Sequence, residues 1–204
     1  MIYEVRTYIL KPGTVPEFEK RFAETLPHRE KYSRLAAFWH TEFGPLNQVV
    51  HIWPYEDLGH RTQVRAEASQ DPHWPPKAAD LIVTMESEIH NPAPFMRPMG
   101  NEKLGNIYEM RMYTYQYGAI PEVIKRWGAV IEEREKHSPL AACMYSEIGG
   151  LNKWVHIWPY ASLEERTRIR EEAAKGGKWP APTRDLMLRQ ENKLLIPAPF
   201  SPMH

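Results

Sequence analysis

Two stretches decide how this chain folds: LAAFWHTEFGPLNQVVHIWPY, from Leu35 to Tyr55, and LAACMYSEIGGLNKWVHIWPY, from Leu140 to Tyr160. Each holds two runs rich in aromatic and aliphatic residues around a short turn such as Gly44-Pro45-Leu46-Asn47, which is the pattern of a β-hairpin. The stretches lie 140 − 35 = 105 residues apart, and that offset extends outward in both directions. IYEVRTY at Ile2 to Tyr8 returns as IYEMRMY at Ile107 to Tyr113, and PAPF at Pro92 to Phe95 returns at Pro197 to Phe200. From Ile2 to Phe95, 42 of 94 positions are identical to the residue 105 places on, without a gap. A repeat of this length is a small domain rather than a solenoid unit. The chain therefore reads as two like domains, residues 1–95 and 107–204, joined by a linker at 96–106 that contains Pro98 and Gly100.

Within a unit, Ile2 to Leu10 alternates like a strand, and Pro12-Gly13 ends it. Thr14-x-x-Glu17 has capping-box spacing, and Val15, Phe18, Phe22 and Leu26 follow at helical spacing, echoed by Ile120, Val123, Trp127 and Val130. Leu35–Phe43 and Gln48–Tyr55 form the hairpin, Leu58–Ala68 a second helix, and Ile82–Ile89 a last strand. The second unit repeats this order, its second helix running from Leu163 to Ala174 behind a Ser162-x-x-Glu165 capping spacing. The order β-α-β-β-α-β defines an α+β fold of two tandem ferredoxin-like units, each an antiparallel sheet with its helices on one face. The bare faces of the two sheets are expected to cover each other, pairing into an α/β barrel.

Composition narrows the function. The 204 residues carry 26 basic and 26 acidic side chains, a net charge of 26 − 26 = 0, which argues against a nucleic-acid partner, since phosphate binding draws on a basic surplus. A single cysteine, Cys143, permits neither an internal disulfide nor a multi-thiolate zinc site. No run of eighteen apolar residues and no signal or Arg-rich presequence is visible, so no membrane insertion and a cytoplasmic location are expected. Phosphate-loop, dinucleotide and serine-hydrolase motifs are missing.

Strand alternation places His51, Trp53 and Tyr55 on one face, with Glu4, Arg6 and Tyr8 of the first strand. Val50, Ile52, Val5 and Ile9 suit the helix side, so the polar set is expected to face the partner sheet. Glu109, Arg111, Tyr113, His156, Trp158 and Tyr160 repeat the pattern. Large aromatics mixed with a few convergent polar groups describe a ligand cavity better than a solvated sheet face. The expected register sets Phe43 opposite Gln48 and His40 opposite His51, with Glu42 on the diagonal; Tyr145, Glu147 and His156 are the equivalents. Two imidazoles and a carboxylate suit a general base or a divalent metal, and Tyr145 in place of a histidine weakens the metal reading. His51 and His156 are thus candidate proton carriers titrating near neutral pH, and Arg6 and Arg111 candidate anion anchors. Each arginine is expected to pair with a carboxylate: Glu4, Glu42 or Glu86 in the first unit, Glu109, Glu147 or Glu191 in the second. Arg61 and Arg65, like Arg166 and Arg170, lie four apart on the second helix and read as a solvated or salt-bridged face.

The run Tyr-Glu-x-Arg-x-Tyr at Tyr3–Tyr8 and Tyr108–Tyr113, followed by Glu-x-Gly-x-Leu-Asn-x-x-x-His-Ile-Trp-Pro-Tyr at Glu147–Tyr160 and its near copy at Glu42–Tyr55, resembles the NIPSNAP domain, here in tandem. The resemblance implies the dimeric α/β-barrel superfamily, whose members include cofactor-free monooxygenases, isomerases, small decarboxylases and haem enzymes. It implies a small-molecule ligand in the barrel cavities and a cofactor-independent enzyme or binding protein. A non-enzymatic interaction or scaffold protein is the alternative, and metal or haem in the cavity a third reading. No cofactor is expected, and any homo-oligomer is expected to use surfaces outside the internal barrel.

Overall fold

A computed structural model describes residues 1–204. In chain order the elements are β1 (Ile2–Leu10), α1 (Val15–Arg29), β2 (Ala37–Phe43), β3 (Gln48–Tyr55), α2 (Leu58–Ala68) and β4 (Ile82–Pro92). The second unit follows as β5 (Ile107–Tyr115), α3 (Ile120–Gly128), α4 (Ile131–Glu135), β6 (Ala142–Ile148), β7 (Lys153–Tyr160), α5 (Leu163–Lys175) and β8 (Met187–Pro197). Where the first unit has one helix, the second has two, α3 and α4, separated at Ala129-Val130 just after Gly128, a residue that weakens helix interiors. Ser162 caps α5 as its spacing predicts, accepting from the Glu165 N–H at 3.2 Å. Thr14 does not cap α1; its hydroxyl donates instead to the Lys11 carbonyl at 2.7 Å.

All eight strands join one closed antiparallel barrel in the order β1-β3-β2-β8-β5-β7-β6-β4. The closure follows from strand length. β4 and β8 each have 11 residues, so each pairs with the first strand of its own unit and then runs on to meet the hairpin of the other. β4 pairs His90 with Ser146 and Pro92 with Met144, while β8 pairs Leu195 with Thr41 and Pro197 with Trp39. Neither unit keeps an open sheet edge, which removes the usual template for aggregation.

The interior of the barrel is filled by side chains of both units, among them Tyr3, Val5, Trp39, Val50 and Ile52 from the first and Tyr108, Met110, Met144, Val155 and Ile157 from the second. Trp39, fully buried, packs on Tyr108 of the other unit with ring centroids 5.2 Å apart. This inverts the expected faces. Val50 and Ile52 look into the barrel, whereas Tyr8, Trp53 and Tyr55 pack with Phe18, Phe22 and Val64 of the helices. Alternation identifies which residues share a face but not which face the helices cover. Glu4 and Glu109 go with the helix side, where Arg61 and Arg166 of the second helix of each unit donate to their buried carboxylates.

The hairpin register is also two residues from expectation: His51 pairs with Phe38, and His40 with Val49. Beyond His40 the turn is closed by Thr41, whose hydroxyl accepts from the Gln48 N–H at 3.3 Å and donates to the Pro45 carbonyl at 2.7 Å. Asn47 turns the chain at φ 56°, a left-handed conformation that asparagine tolerates.

Because the two units share one core, they are expected to unfold together. A Trp39→Ala variant should lose about 3–5 kcal/mol, the range for a large aromatic deleted from a core. Urea unfolding followed by fluorescence and by circular dichroism should show a single coincident transition at a lower midpoint. Two separable transitions in the unsubstituted chain would show that the units are independent.

Candidate functional site

β1 lies between β3 and β4, and its outer face is covered by α1 and α2. Glu4, fully buried on that face, accepts from Arg61 Nη2 at 2.6 Å, Ser87 Oγ at 2.7 Å and Arg6 Nη1 at 2.9 Å, with Arg65 Nη1 at 3.7 Å. Glu109 repeats the arrangement, taking Arg166 at 2.6 Å, Arg111 at 2.8 Å and Asn192 at 3.0 Å, with Arg170 at 3.4 Å. Burial alone pushes both carboxyls up, but the guanidiniums and amide or hydroxyl donors around them hold each at about 2. The Arg6 Nε donates in turn to Tyr8 Oη at 2.7 Å, and Arg111 Nε to Tyr113 Oη at the same distance.

Arg6 and Arg111 are therefore paired, as the cost of a lone buried charge requires, but only one carboxylate in each expected set is used. Glu86 and Glu191 stand opposite Thr7 and Met112, on the other parity from Glu4 and Glu109, and are exposed; Glu191 pairs with Arg189. Ser87 and Asn192 take the positions nearest the buried carboxylates. Glu42 is exposed at the hairpin end, and Glu147, also exposed, accepts from Asn91 Nδ2 at 2.8 Å. His40 does not meet His51; the shifted register carries its Nδ1 to Glu19 on α1 at 2.7 Å. Tyr145 lies parallel to Trp154, ring centroids 6.5 Å apart. The proposed His40, Glu42, His51 metal set consequently does not converge, and no three His, Cys, Asp or Glu side chains elsewhere form one.

His51 and His156 are buried within the sheet-to-helix layer. Trp53 Nε1 donates to His51 Nδ1 at 2.7 Å, and Trp158 Nε1 donates to His156 Nδ1 at 2.7 Å. An indole N–H can only donate, so Nδ1 must accept, and the neutral imidazole carries its proton on Nε2. Neither Nε2 has a protein partner. Burial, reinforced by the nearby Arg6 guanidinium, drops the His51 pKa to about 3, and burial with Arg111 holds His156 well below its ordinary value. The expectation of titration near neutral pH is corrected: desolvation and surrounding arginines outweigh the one carboxylate.

Between sheet and helices each unit has a cavity open to solvent on one side, about 570 Å³ in the first and about 690 Å³ in the second. The first is walled by His51, Trp53, Trp74 and Phe22, the second by His156, Trp158, Trp179 and Trp127. Both also contain an arginine that sequence reading passed over. Arg29, from the end of α1, and Arg134, from α4, are each 2% exposed and lie over Trp53 and Trp158, 4.5 and 4.0 Å from the ring centroids. Their signal was present. Phe18, Phe22, Leu26 and Arg29 follow one helical stripe, so a charged residue occupies the apolar face, and the repeat places Arg134 at the same point. Arg65 and Arg170, read as a solvated or salt-bridged face, are partly exposed and lie 3.7 and 3.4 Å from Glu4 and Glu109, and they reach the cavity walls as well.

Fold and site together define a tandem α/β barrel of the dimeric α/β-barrel type, with a filled interior and one cavity per unit outside it. The NIPSNAP family model matches residues 3–97 and again 108–202, and the chain belongs to the NIPSNAP family. It is 31% identical over 218 residues to Protein NipSnap homolog 3A of Homo sapiens, covering 100% of this chain and 86% of that one. With Protein NipSnap homolog of Dictyostelium discoideum it shares 33% over 204 residues, 96% of this chain and 87% of the other. A solved anthrone oxidase-like protein has the same fold, with a TM-score of 0.63 at 7% identity over 100% of this chain and 94% of that one. A solved Fusobacterium nucleatum protein, titled as a candidate monooxygenase, has a TM-score of 0.67 at 11% identity over 96% and 91%. No helix is long and apolar enough to cross a membrane.

The site sets a pH dependence of stability. His51, held near 3 when folded, takes up a proton at its ordinary 6.5 when unfolded, so the unfolded state binds more protons and stability falls as pH drops from 6.5 towards 3. His156 and His90 act in the same direction, while His40, raised by Glu19, acts in the opposite one. Glu4 and Glu109 add a second loss as pH falls from 4.5 through about 2. Urea midpoints measured against pH should therefore decline in two stages, and His51→Gln with His156→Gln should shrink the upper stage alone. A midpoint independent of pH between 6.5 and 4.5 would refute the buried neutral state.

Proposed function

We propose that the chain binds a small organic molecule in each of the two cavities between sheet and helices, with residues 1–95 and 107–204 as the two domains and His51 and His156 as the orienting donors. The observation that carries this reading is the repeated Nε2–H: a buried donor in a cavity wall, its tautomer imposed by a tryptophan and its partner missing from the protein. A buried unsatisfied donor is costly, and a ligand acceptor removes the cost. The cavity volumes fall in the range of small-molecule sites, whose walls are mainly apolar with a few polar groups.

In this reading the barrel interior is structural, because aliphatic and aromatic side chains fill it. Trp53 and Trp158 form the cavity walls and fix the imidazole tautomers. Glu4 and Glu109 hold Arg6 and Arg111 in place, and Tyr8 and Tyr113 stand edge-on to the imidazoles, ring centroids 4.9 and 4.8 Å away. The histidines serve as neutral hydrogen-bond donors, suited to polarising a ligand carbonyl, rather than as proton carriers.

Trp53, Trp74, Trp158 and Trp179 line the cavities, so intrinsic fluorescence reports occupancy. Screening aromatic small molecules should find quenching ligands. His51→Ala with His156→Ala should fold and bind them roughly tenfold more weakly, the effect of about 1.4 kcal/mol for one lost hydrogen bond. His51→Gln with His156→Gln, which keeps an acceptor and a donor, should recover part of the affinity. Unchanged affinity in the alanine variant would remove the histidines from the site, and failure of both variants to fold would make them structural.

A further inference from the structure

We propose that both cavities select an organic anion, a carboxylate carried on an aromatic or apolar body, with its head on Arg29 in the first unit and Arg134 in the second. The inference deepens, and rests on, the reading that the cavities bind small molecules.

It starts from a charge imbalance. The walls of the first cavity contain Arg6, Arg29 and Arg65 and no aspartate or glutamate; those of the second contain the equivalent Arg111, Arg134 and Arg170 together with the exposed Arg184 and Arg189, again with no carboxylate. The one acidic group behind each wall is engaged chiefly with other arginines: Oε1 of Glu4 receives Arg6, Arg61 and Ser87 while its Oε2 has no hydrogen-bond partner, and Oε1 of Glu109 receives Arg111, Arg166 and Asn192 while its Oε2 receives Arg170 at 3.4 Å. Around the sheet-to-helix layer one buried carboxylate thus stands against the same four guanidiniums in each unit, Arg6, Arg29, Arg61 and Arg65 in the first and Arg111, Arg134, Arg166 and Arg170 in the second.

Arg29 and Arg134 are the residues this leaves uncompensated. No carboxylate lies within ion-pair distance of either. Arg29 Nη1 donates to Ser33 Oγ at 2.9 Å and Nη2 to Tyr55 Oη at 2.9 Å; Arg134 makes the same two bonds to Ser138 at 2.8 Å and Tyr160 at 3.2 Å. Both acceptors are neutral. A guanidinium has five N–H donors, so each arginine keeps donors that the protein does not use. A cation buried without a counter-charge is among the most unfavourable arrangements in a folded chain, and burial lowers both pKa values as that cost requires. The same uncompensated residue in both units is accounted for by a counter-charge that arrives with the ligand.

The surroundings specify the rest of the molecule. Trp53 and Trp74 meet edge to face at 6.2 Å, and Trp158 and Trp179 at 5.9 Å, giving each cavity an aromatic corner next to its arginine. The flat fork of arginine matches the plane of a carboxylate, and the free His51 or His156 Nε2–H supplies a further donor in the same wall. A cationic ligand meets only like charge, and a neutral one leaves the arginines unpaired.

The test uses matched pairs: benzoate, 2-naphthoate, indole-3-acetate and decanoate, each beside its primary amide, at constant ionic strength and neutral pH. Binding to the full chain is read by tryptophan fluorescence and by the shift in Tm. At least one acid is expected to bind ten or more times as tightly as its amide. Arg29→Gln with Arg134→Gln is expected to lose tenfold or more for that acid and to leave amide binding unchanged. The acid-to-amide comparison in the unsubstituted protein stands even if that variant fails to fold, and Arg29→Lys with Arg134→Lys, keeping charge without the fork, should show an intermediate loss. Amides binding as well as acids in every pair overturn the anion inference and leave the cavity reading in place. An acid preference that survives the glutamine variant also overturns it, because the anchor then lies elsewhere. If neither acids nor amides bind, both readings fall.

Discussion

A carboxylate cut off from water sits in the middle of the first strand of each unit, and most of the architecture is arranged around it. Glu4 and Glu109 stand on strands with neighbours on both sides, where backbone groups are taken up by the sheet ladder. Their donors must be side chains, and the ones present come from three places: Arg6 or Arg111 on the same strand, Ser87 or Asn192 on the next, and Arg61 or Arg166 on the covering helix. Removing one partner from a buried charge cluster leaves the others uncompensated, so the set is retained or lost as a whole. The cluster fixes α2 and α5 over the polar parity of their sheets.

Once that face is committed to the helices, the opposite parity has one destination. Tyr3, Val5, Val50 and Ile52 turn inward with their counterparts and pack a mainly apolar barrel, in which His90, paired with Tyr3, is a buried polar exception. Fusing two units in one chain gives every sheet edge a partner inside the molecule, since β4 meets β6 and β2 meets β8. The barrel core then belongs to neither unit alone, as the contact between Trp39 and Tyr108 illustrates. The two cavities form outside the barrel, in the layer between sheet and helices.

That layer has an unusual electrostatic character. It is dry enough to keep two imidazoles neutral, yet it contains guanidiniums in excess of carboxylates. In a medium of low polarity charges interact strongly and unpaired ones are costly, so an arrangement of this kind costs stability in the empty chain. Sites built for binding commonly carry such a cost, because the groups that satisfy a ligand are unsatisfied without it. The tryptophans supply apolar area, lend an indole N–H to set each histidine tautomer, and present a ring face to the buried arginine.

How much of this is legible in the chain depends on whether the signal is local. The gapless repeat, the hairpin runs, the helical stripe of Phe18, Phe22 and Leu26 and the period of two along Ile2 to Leu10 determine two βαββαβ units, because backbone geometry converts sequence spacing directly into element type. Those patterns also group Glu4, Arg6 and Tyr8 with His51 and Trp53 on one face. Which way that face points was a tertiary decision, since both faces are buried and Glu4 meets Arg61 of α2 only in the folded chain. The register of His40 against His51 was likewise not legible, since it depends on how many residues the turn between β2 and β3 takes up in the folded chain. The neutrality of the histidines has the same origin: a pKa depends on what surrounds a group in three dimensions, and burial together with arginines from β1, α1 and α2 outweighs the ordinary value of an isolated imidazole.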